Sequence, residues 1–149
     1  MKWLIGLSAL GLVWWGLRMR DIDNLARTMW GEARGEGIQG MQAVANVVMN
    51  RVNAGRWFSG TVSQVVKKPF QFSVWNEGDP NLPLMKAVDE RDNAFLTAVE
   101  IAARAMRGTL EDITGGATHY HTVSVNPPWA DTSKITARIG KHIFYKGIA

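Results

Sequence analysis

The sequence predicts an α+β, helix-rich domain with a small antiparallel sheet, preceded by one apolar N-terminal helix. Three observations predict it. Apolar residues recur at spacings of three and four through 23–32, 39–52 and 92–107, the signature of amphipathic helices. Two short runs near the C-terminus, 117–123 and 139–145, read as strands instead, the first entered through Gly115-Gly116. Residues Trp3 to Leu17 carry no charge and are framed by Lys2, Arg18 and Arg20. At 149 residues the chain is long enough for one domain with a real core, so the expected division is a segment 1–20 and a domain 21–149.

Composition excludes more than it assigns. There is no cysteine, so neither a disulfide framework nor thiol chemistry is available. The net charge of +4 is concentrated at the start: with Lys2, Arg18 and Arg20 set aside, 14 basic residues face 13 acidic ones. That balance lacks the concentrated basic face nucleic acid requires, so no nucleic-acid partner is expected. No cofactor is called for, and a monomer is expected.

Taken in order, 3–17 would span about 22 Å as a helix, short of the roughly 30 Å of a bilayer core. Gly6, Ser8, Ala9, Gly11 and Gly16 dilute its leucines, and Gly16-Leu17-Arg18 offers no signal-peptidase site. Trp14 and Trp15 suit a membrane interface, with the arginines among headgroups. A run of this length also suits a buried helix of the globular domain.

The next helix is expected to start near Asp23, with Asp23 or Asn24 as its cap. Leu25, Thr28, Met29 and Glu32 then share one stripe, and Glu32 is the odd member of an otherwise apolar face. A carboxyl group there is poorly hydrated, which disfavours its charged form and raises its pKa toward the range of a general acid. A solvated acid at a frayed helix end is the alternative. Gly31 and Gly35 flank it and leave backbone open to a polymeric ligand, while Trp30 offers a flat apolar surface.

Gly35-Glu36-Gly37 breaks that helix. The following one buries Met41, Val44, Ala45, Val48 and Val52. Gln42, Asn46 and Asn50 form a polar row, either solvated or bracing the neighbourhood of Glu32. Trp57 to Gly60 is a turn, Thr61 caps a short helix through Lys68, and Pro69 stops it. Phe70 to Trp75 alternates and reads as a strand that turns Gln71, Ser73 and Trp75 toward a groove or solvent. Residues 76–81 are loop and carry Glu77 and Asp79. Asp92 to Arg107 is a scaffold helix burying Phe95, Val99, Ala102 and Met106, with Gly108 as its C-cap.

In the strand 117–123, His119 and His121 share one face and Tyr120 takes the other. Two imidazoles at that spacing, with His142 and an acid, are the start of a zinc site, but no HExxH or comparable ligand set accompanies them. No metal is therefore assigned. Pro127-Pro128-Trp129 is a turn presenting an aromatic ring, and Ile139 to Tyr145 is a closing strand in which His142 is structural.

Three blocks in register carry a resemblance. The stretches "ARTMWGEARGEGIQGMQAVANVVMNRV", "PFQFSVW" and "ATHYHTVSVNPPWADTSKITARIGKHIFY" resemble, in the same order, those of the SleB-type cell wall hydrolases, a family of spore-cortex-lytic enzymes and some phage endolysins. The likeness covers roughly residues 25–147. It implies a lysozyme-like, lytic-transglycosylase-like fold, cleavage of peptidoglycan glycan strands, and Glu32, the first Glu of GEARGE, as the catalytic acid. Residues expected to bind the glycan are Trp30, Gln71, Ser73, Trp75, His119, Tyr120, His121 and Trp129. The segment 3–17 resembles the signal-anchor-release segments of phage endolysins. It implies export, tethering to the bacterial inner membrane and later release to the periplasm; a permanent signal anchor is the other membrane reading. With helical residues in between, Glu32 would lie about 20 Å from the membrane boundary. Two rival functions stand beside this one: a zinc-dependent peptidoglycan amidase or peptidase using His119 and His121, and a non-enzymatic, membrane-anchored wall-binding protein.

Overall fold

A computed structural model describes residues 9–55, 58 and 60–149. The first part of the predicted apolar segment, 3–8, and the turn residues Trp57 and Ser59 lie outside the described residues. Helix α1 (Ala9–Ala33) is followed by a 3-10 turn (Arg34–Glu36), α2 (Gly37–Ala54), α3 (Val62–Lys67), α4 (Asn81–Ala87) and α5 (Asn93–Arg107). Three strands follow, β1 (His119–Thr122), β2 (Ile135–Ile139) and β3 (His142–Tyr145), in an antiparallel sheet of order β1-β3-β2.

The expected helix start near Asp23 is wrong. α1 runs unbroken through that point, so neither Asp23 nor Asn24 is a cap. Asp23 instead pairs with Arg27 one turn on, and buried Asn24 donates to Ser63 Oγ on α3 at 2.8 Å. The helix has two halves. Leu25, Thr28 and Met29 are completely buried against α2, α3 and α5. Leu10, Leu12, Val13, Trp14, Trp15, Leu17 and Met19 are exposed, although Arg18 reaches Met106 O at the end of α5 (3.1 Å). Among the described residues, no helix is long and apolar enough to cross a membrane.

The α2 stripe packs as its spacing requires: Met41, Val44, Ala45 and Val48 join Leu25, Met29, Phe72, Phe95 and Ala102 in the main core. Each such aliphatic or aromatic side chain stabilises the fold by about 1.5–3 kcal/mol on burial. On α5 the buried face is turned slightly from the expected one, with Ala98, Ile101 and Ala105 inside and Val99 and Met106 only partly covered. Asp92 caps α5 through Phe95 N, and Gly108 closes it at φ 74°. Thr61 and Gln64 form the reciprocal capping box of α3.

The polar row of α2 braces the connector to the sheet rather than Glu32, with Asn46 buried and Gln42 and Asn50 half-buried. Gln42 and Asn46 donate to Glu111 O, Asn46 Oδ1 accepts from Ile113 N, and Asn50 donates to Asp112 Oδ2 and Ala117 O. These bonds fasten the connector from α5 to β1, and so set where the sheet begins. The sheet then packs on the back of α2 through Phe144 and Ala117 against Ala43 and Val47.

Two strand expectations are corrected. Phe70 to Trp75 is a turn followed by a 3-10 turn (Ser73–Trp75): Phe70 adopts φ 63° and is exposed, and Trp75 N donates back to Phe72 O. The alternation still sorts inside from outside, since Phe72 and Val74 are buried. Likewise Ile139 to Tyr145 is a hairpin corner, with β2 ending at Ile139, Gly140 at φ 55°, and β3 beginning at His142. α4 begins at Asn81, the end of the expected loop 76–81, and otherwise occupies residues for which no element was expected.

Candidate active site

Glu32 ends α1 half-buried, where three elements meet. Val74 N, on the Ser73–Trp75 turn, donates to Oε1 (3.3 Å), and Tyr120 Oη on β1 donates to Oε2 (3.0 Å). Gly31 makes the first contact attainable: a Cβ there would lie 2.9 Å from Val74 Cγ1. The glycine thus serves packing inside the protein rather than the approach of a ligand. The pKa of Glu32 is raised, foremost by burial, and the negative charge of Asp79 adds to that. The two hydrogen bonds and the Arg51 charge oppose it without cancelling it. Tyr120 is itself held well above the usual phenol range by burial and by Glu32, so it is a neutral donor.

Arg51 on α2 is the site residue that sequence reasoning missed. Its side chain is buried, its guanidinium lies 5.0 Å from the Phe58 ring and 4.9 Å from that of Phe72, and Nε donates to Thr118 O (2.7 Å). Burial lowers its pKa to about 10, which leaves it charged at neutral pH. Arg51, Gln71, His119, Tyr120 and Trp129 line a surface cavity of about 420 Å³, next to the hydrogen bond between Tyr120 and Glu32. Arg51 Nη1 lies 3.4 Å from Gln71 Oε1. Trp129 stands over the sheet face opposite Tyr120, with ring centroids 5.3 Å from His119 and 5.6 Å from His121. Burial and Arg51 lower the His119 pKa to about 4, so its imidazole is neutral.

The cavity therefore brings together Tyr120, Gln71, His119 and Trp129 and adds Arg51, while Glu32 lies outside its lining and joins it through the Tyr120 hydrogen bond. It does not bring in the others. Trp30 is buried, donates Nε1 to Asp92 Oδ1 (3.1 Å) and carries the Arg34 guanidinium 4.1 Å from its ring, so no sugar can stack on it. Trp75 turns back to α1, donating to Thr28 Oγ1 (2.9 Å), with Lys67 over its ring. Ser73 is exposed on the 3-10 turn and does not line the cavity. His121 has both ring nitrogens engaged, with Thr122 O (2.7 Å) and Tyr145 Oη (2.8 Å). Among the described residues, no three His, Asp or Glu side chains are grouped as a metal would require.

The other acids have other duties. Glu36 accepts from Lys141 N (2.8 Å) and fills the space a Cβ on Gly140 would take, fixing the β2–β3 corner to the end of α1. Asp79 accepts from Asn81 N (2.8 Å) and Glu77 is exposed. His142 is buried beside the Tyr120 ring (5.2 Å).

Fold and site together define a class: a helix-rich α+β domain in which a partly desolvated carboxyl group, held by one amide and one phenol, adjoins an aromatic-walled cavity. The chain belongs to the Cell Wall Hydrolase family, whose model matches residues 35–145 and so begins just after Glu32. It is similar to the spore cortex-lytic enzyme of Halalkalibacterium halodurans, 34% identical over 87% of this chain and 36% of that one. It is also similar to that of Bacillus cereus, at 33% over 88% and 46%. The chain thus spans less than half the length of these curated relatives. Two solved structures share its fold, both with a TM-score of 0.65. One is the catalytic domain of the germination-specific lytic transglycosylase SleB from Bacillus anthracis (32% identity, 85% of this chain, 93% of that one). The other is the catalytic domain of Bacillus cereus SleB (31%, 86% and 91%).

Proposed function

We propose that this chain cleaves peptidoglycan glycan strands at the β-1,4 bond between N-acetylmuramic acid and N-acetylglucosamine, with Glu32 as general acid and then base. The observation that carries this reading is the state of Glu32. Burial raises its pKa, which favours the protonated form, and a general acid is useful only while it holds a proton. Protonated Glu32 hands that proton to the bridging oxygen as the sugar develops oxocarbenium character. The carboxylate left behind is stabilised by Val74 N–H and Tyr120 O–H, both already in place. It then takes a proton from the incoming nucleophile.

Two nucleophiles complete the reaction: the muramyl ring's own hydroxyl, giving an anhydro end, or water, giving a reducing end. A hydrolase needs a second carboxylate across the bond. Glu36 is committed to Lys141 N, Glu77 is exposed, and Asp79, the acid whose charge reaches Glu32, accepts from Asn81 N, so we favour the internal hydroxyl, which makes the enzyme a lytic transglycosylase before a muramidase. The name of the Bacillus anthracis relative points the same way. Mass spectrometry of the fragments released from purified peptidoglycan tests this. Anhydro ends are expected; reducing ends would make it a muramidase, and cut peptides with intact strands would overturn the reading.

We further propose a phage endolysin acting in host lysis, exported and tethered to the inner membrane through residues 3–17 and then released to the periplasm. The exposed apolar half of α1 and the flanking Arg18 and Arg20 support it. Expression with an export block should abolish lysis, and the protein should move from the membrane to the soluble fraction when the membrane is depolarised. A protein found only in the cytoplasm would remove this part.

A further inference from the structure

Arg51 is a buried cation short of a counter-charge. The ion pairs among the described residues are Arg27–Asp23 and Arg91–Asp89, so no carboxylate lies within 4 Å of its guanidinium. Two aromatic rings, the Thr118 carbonyl and a long contact to Gln71 partly compensate it. Glu32 is the acid whose charge it feels. That acid is neutral in the form that starts the reaction, so in this form Arg51 faces the cavity as an unmatched positive charge. Leaving a buried charge unmatched is costly, and an anionic ligand group recovers that cost.

The proposed substrate supplies such a group in the right place. The ring being cleaved, N-acetylmuramic acid, carries a lactyl arm, whose carboxyl is either free or extended by an acidic stem peptide. The arm belongs to the same sugar whose glycosidic oxygen takes the Glu32 proton. Tyr120 is the shared wall, bonded to Glu32 and lining the cavity that Arg51 floors. Trp129 and neutral His119 add aromatic rings to the wall, beside the amide of Gln71 and the aliphatic Ile148, and these suit the body of the arm.

We propose that the cavity floored by Arg51 is the subsite for the acyl arm of the muramyl ring, and that it takes that arm through a carboxylate. This rests on the glycan-strand reading above and deepens it: the substrate class becomes strands that are anionic at the muramyl arm.

The test is equilibrium binding of full-length Glu32→Gln protein, which does not turn the ligand over. Four strands of equal length serve as probes: with acidic stem peptides, stripped of peptide so that the lactyl carboxylate is bare, and each of these after carbodiimide coupling to methylamine. The carboxylate forms are expected to bind about tenfold or more tighter than their amidated forms, as a charge-assisted hydrogen bond predicts. Preference for the bare strand would assign the lactyl carboxylate, and preference for the peptide-bearing strand the stem. Adding Arg51→Gln should erase the difference, while Arg51→Lys should keep part of it. Equal affinity for acid and amidated strands would overturn the subsite, and that comparison needs no variant at Arg51. A loss in Arg51→Gln that is equal for all strands would overturn it too. Discrimination by a protein that releases no fragment would keep the subsite and sink the cleavage reading; cleavage without discrimination would do the reverse.

Discussion

The two halves of α1 obey opposite rules on one continuous rod. From Asn24 to Ala33 the helix is sheathed by α2, α3 and α5, and its polar groups are spoken for: Asn24 by Ser63, Thr28 by Trp75, Glu32 by Val74 and Tyr120. From Leu10 to Met19 the apolar side chains stand in the open. The contrast teaches that an acid's chemistry follows from its surroundings rather than its type. Asp23, exposed, makes an ordinary ion pair with Arg27, while burial raises the pKa of Glu32, nine residues on.

The sharpest way to break this contrast is Glu32→Gln. Turnover of peptidoglycan should fall about 10²–10⁴-fold, the usual contribution of a positioned general acid, as read by release of soluble muropeptides. Stability should move the other way. Because its folded pKa is raised, Glu32 contributes stability that is whole below its ordinary value of 4.5 and is lost as pH rises through the folded value. The variant should therefore melt with the parent at acid pH and above it at neutral pH. A variant that melts lower at both would mean that Glu32 is a solvated structural acid.

Gly31→Ala comes next. Its Cβ meets Val74, so the Ser73–Trp75 turn must move away from Glu32, at a cost of about 1–3 kcal/mol in chemical denaturation. No cost would show that this contact is loose. Tyr120→Phe is milder and diagnostic. Its hydrogen bond favours the carboxylate, so removing it should raise the Glu32 pKa further and shift the alkaline fall of activity to higher pH. A shift to lower pH would assign Tyr120 the opposite role. The smallest effect belongs to the open half. Trp14→Ser with Trp15→Ser should change stability by no more than about 0.5 kcal/mol, since both rings are exposed. A larger loss would place that half in a folded contact.

Much of this was readable before folding, and the failures have a common cause. The stripe Leu25, Thr28, Met29, Glu32 located a desolvated acid because helical spacing alone sets which face is buried. The same rule marks Arg51, three residues after Val48 and seven after Val44, yet a second charge on an apolar stripe was passed over. Trp30 and Trp75 were misassigned because their partners, Asp92 and Thr28, are 62 and 47 residues away. An indole's flat face looks the same in a sequence whether a sugar or an arginine will cover it. Phe70–Trp75 alternates like a strand, but one left-handed residue at its start coils the run, and alternation of burial survives without pairing.

The absence of a break in α1 has one more consequence. The helix is rigid and rises about 1.5 Å per residue, so Glu32 stands roughly 22 Å further along it than Leu17. Were the open half seated in a bilayer, the carboxyl group would ride on a stalk of set height, unable to swing aside or fold under the lipid without melting turns. Under the tethering proposed above, reach would then set the substrate: glycan layers beyond the stalk would stay untouched until it lets go.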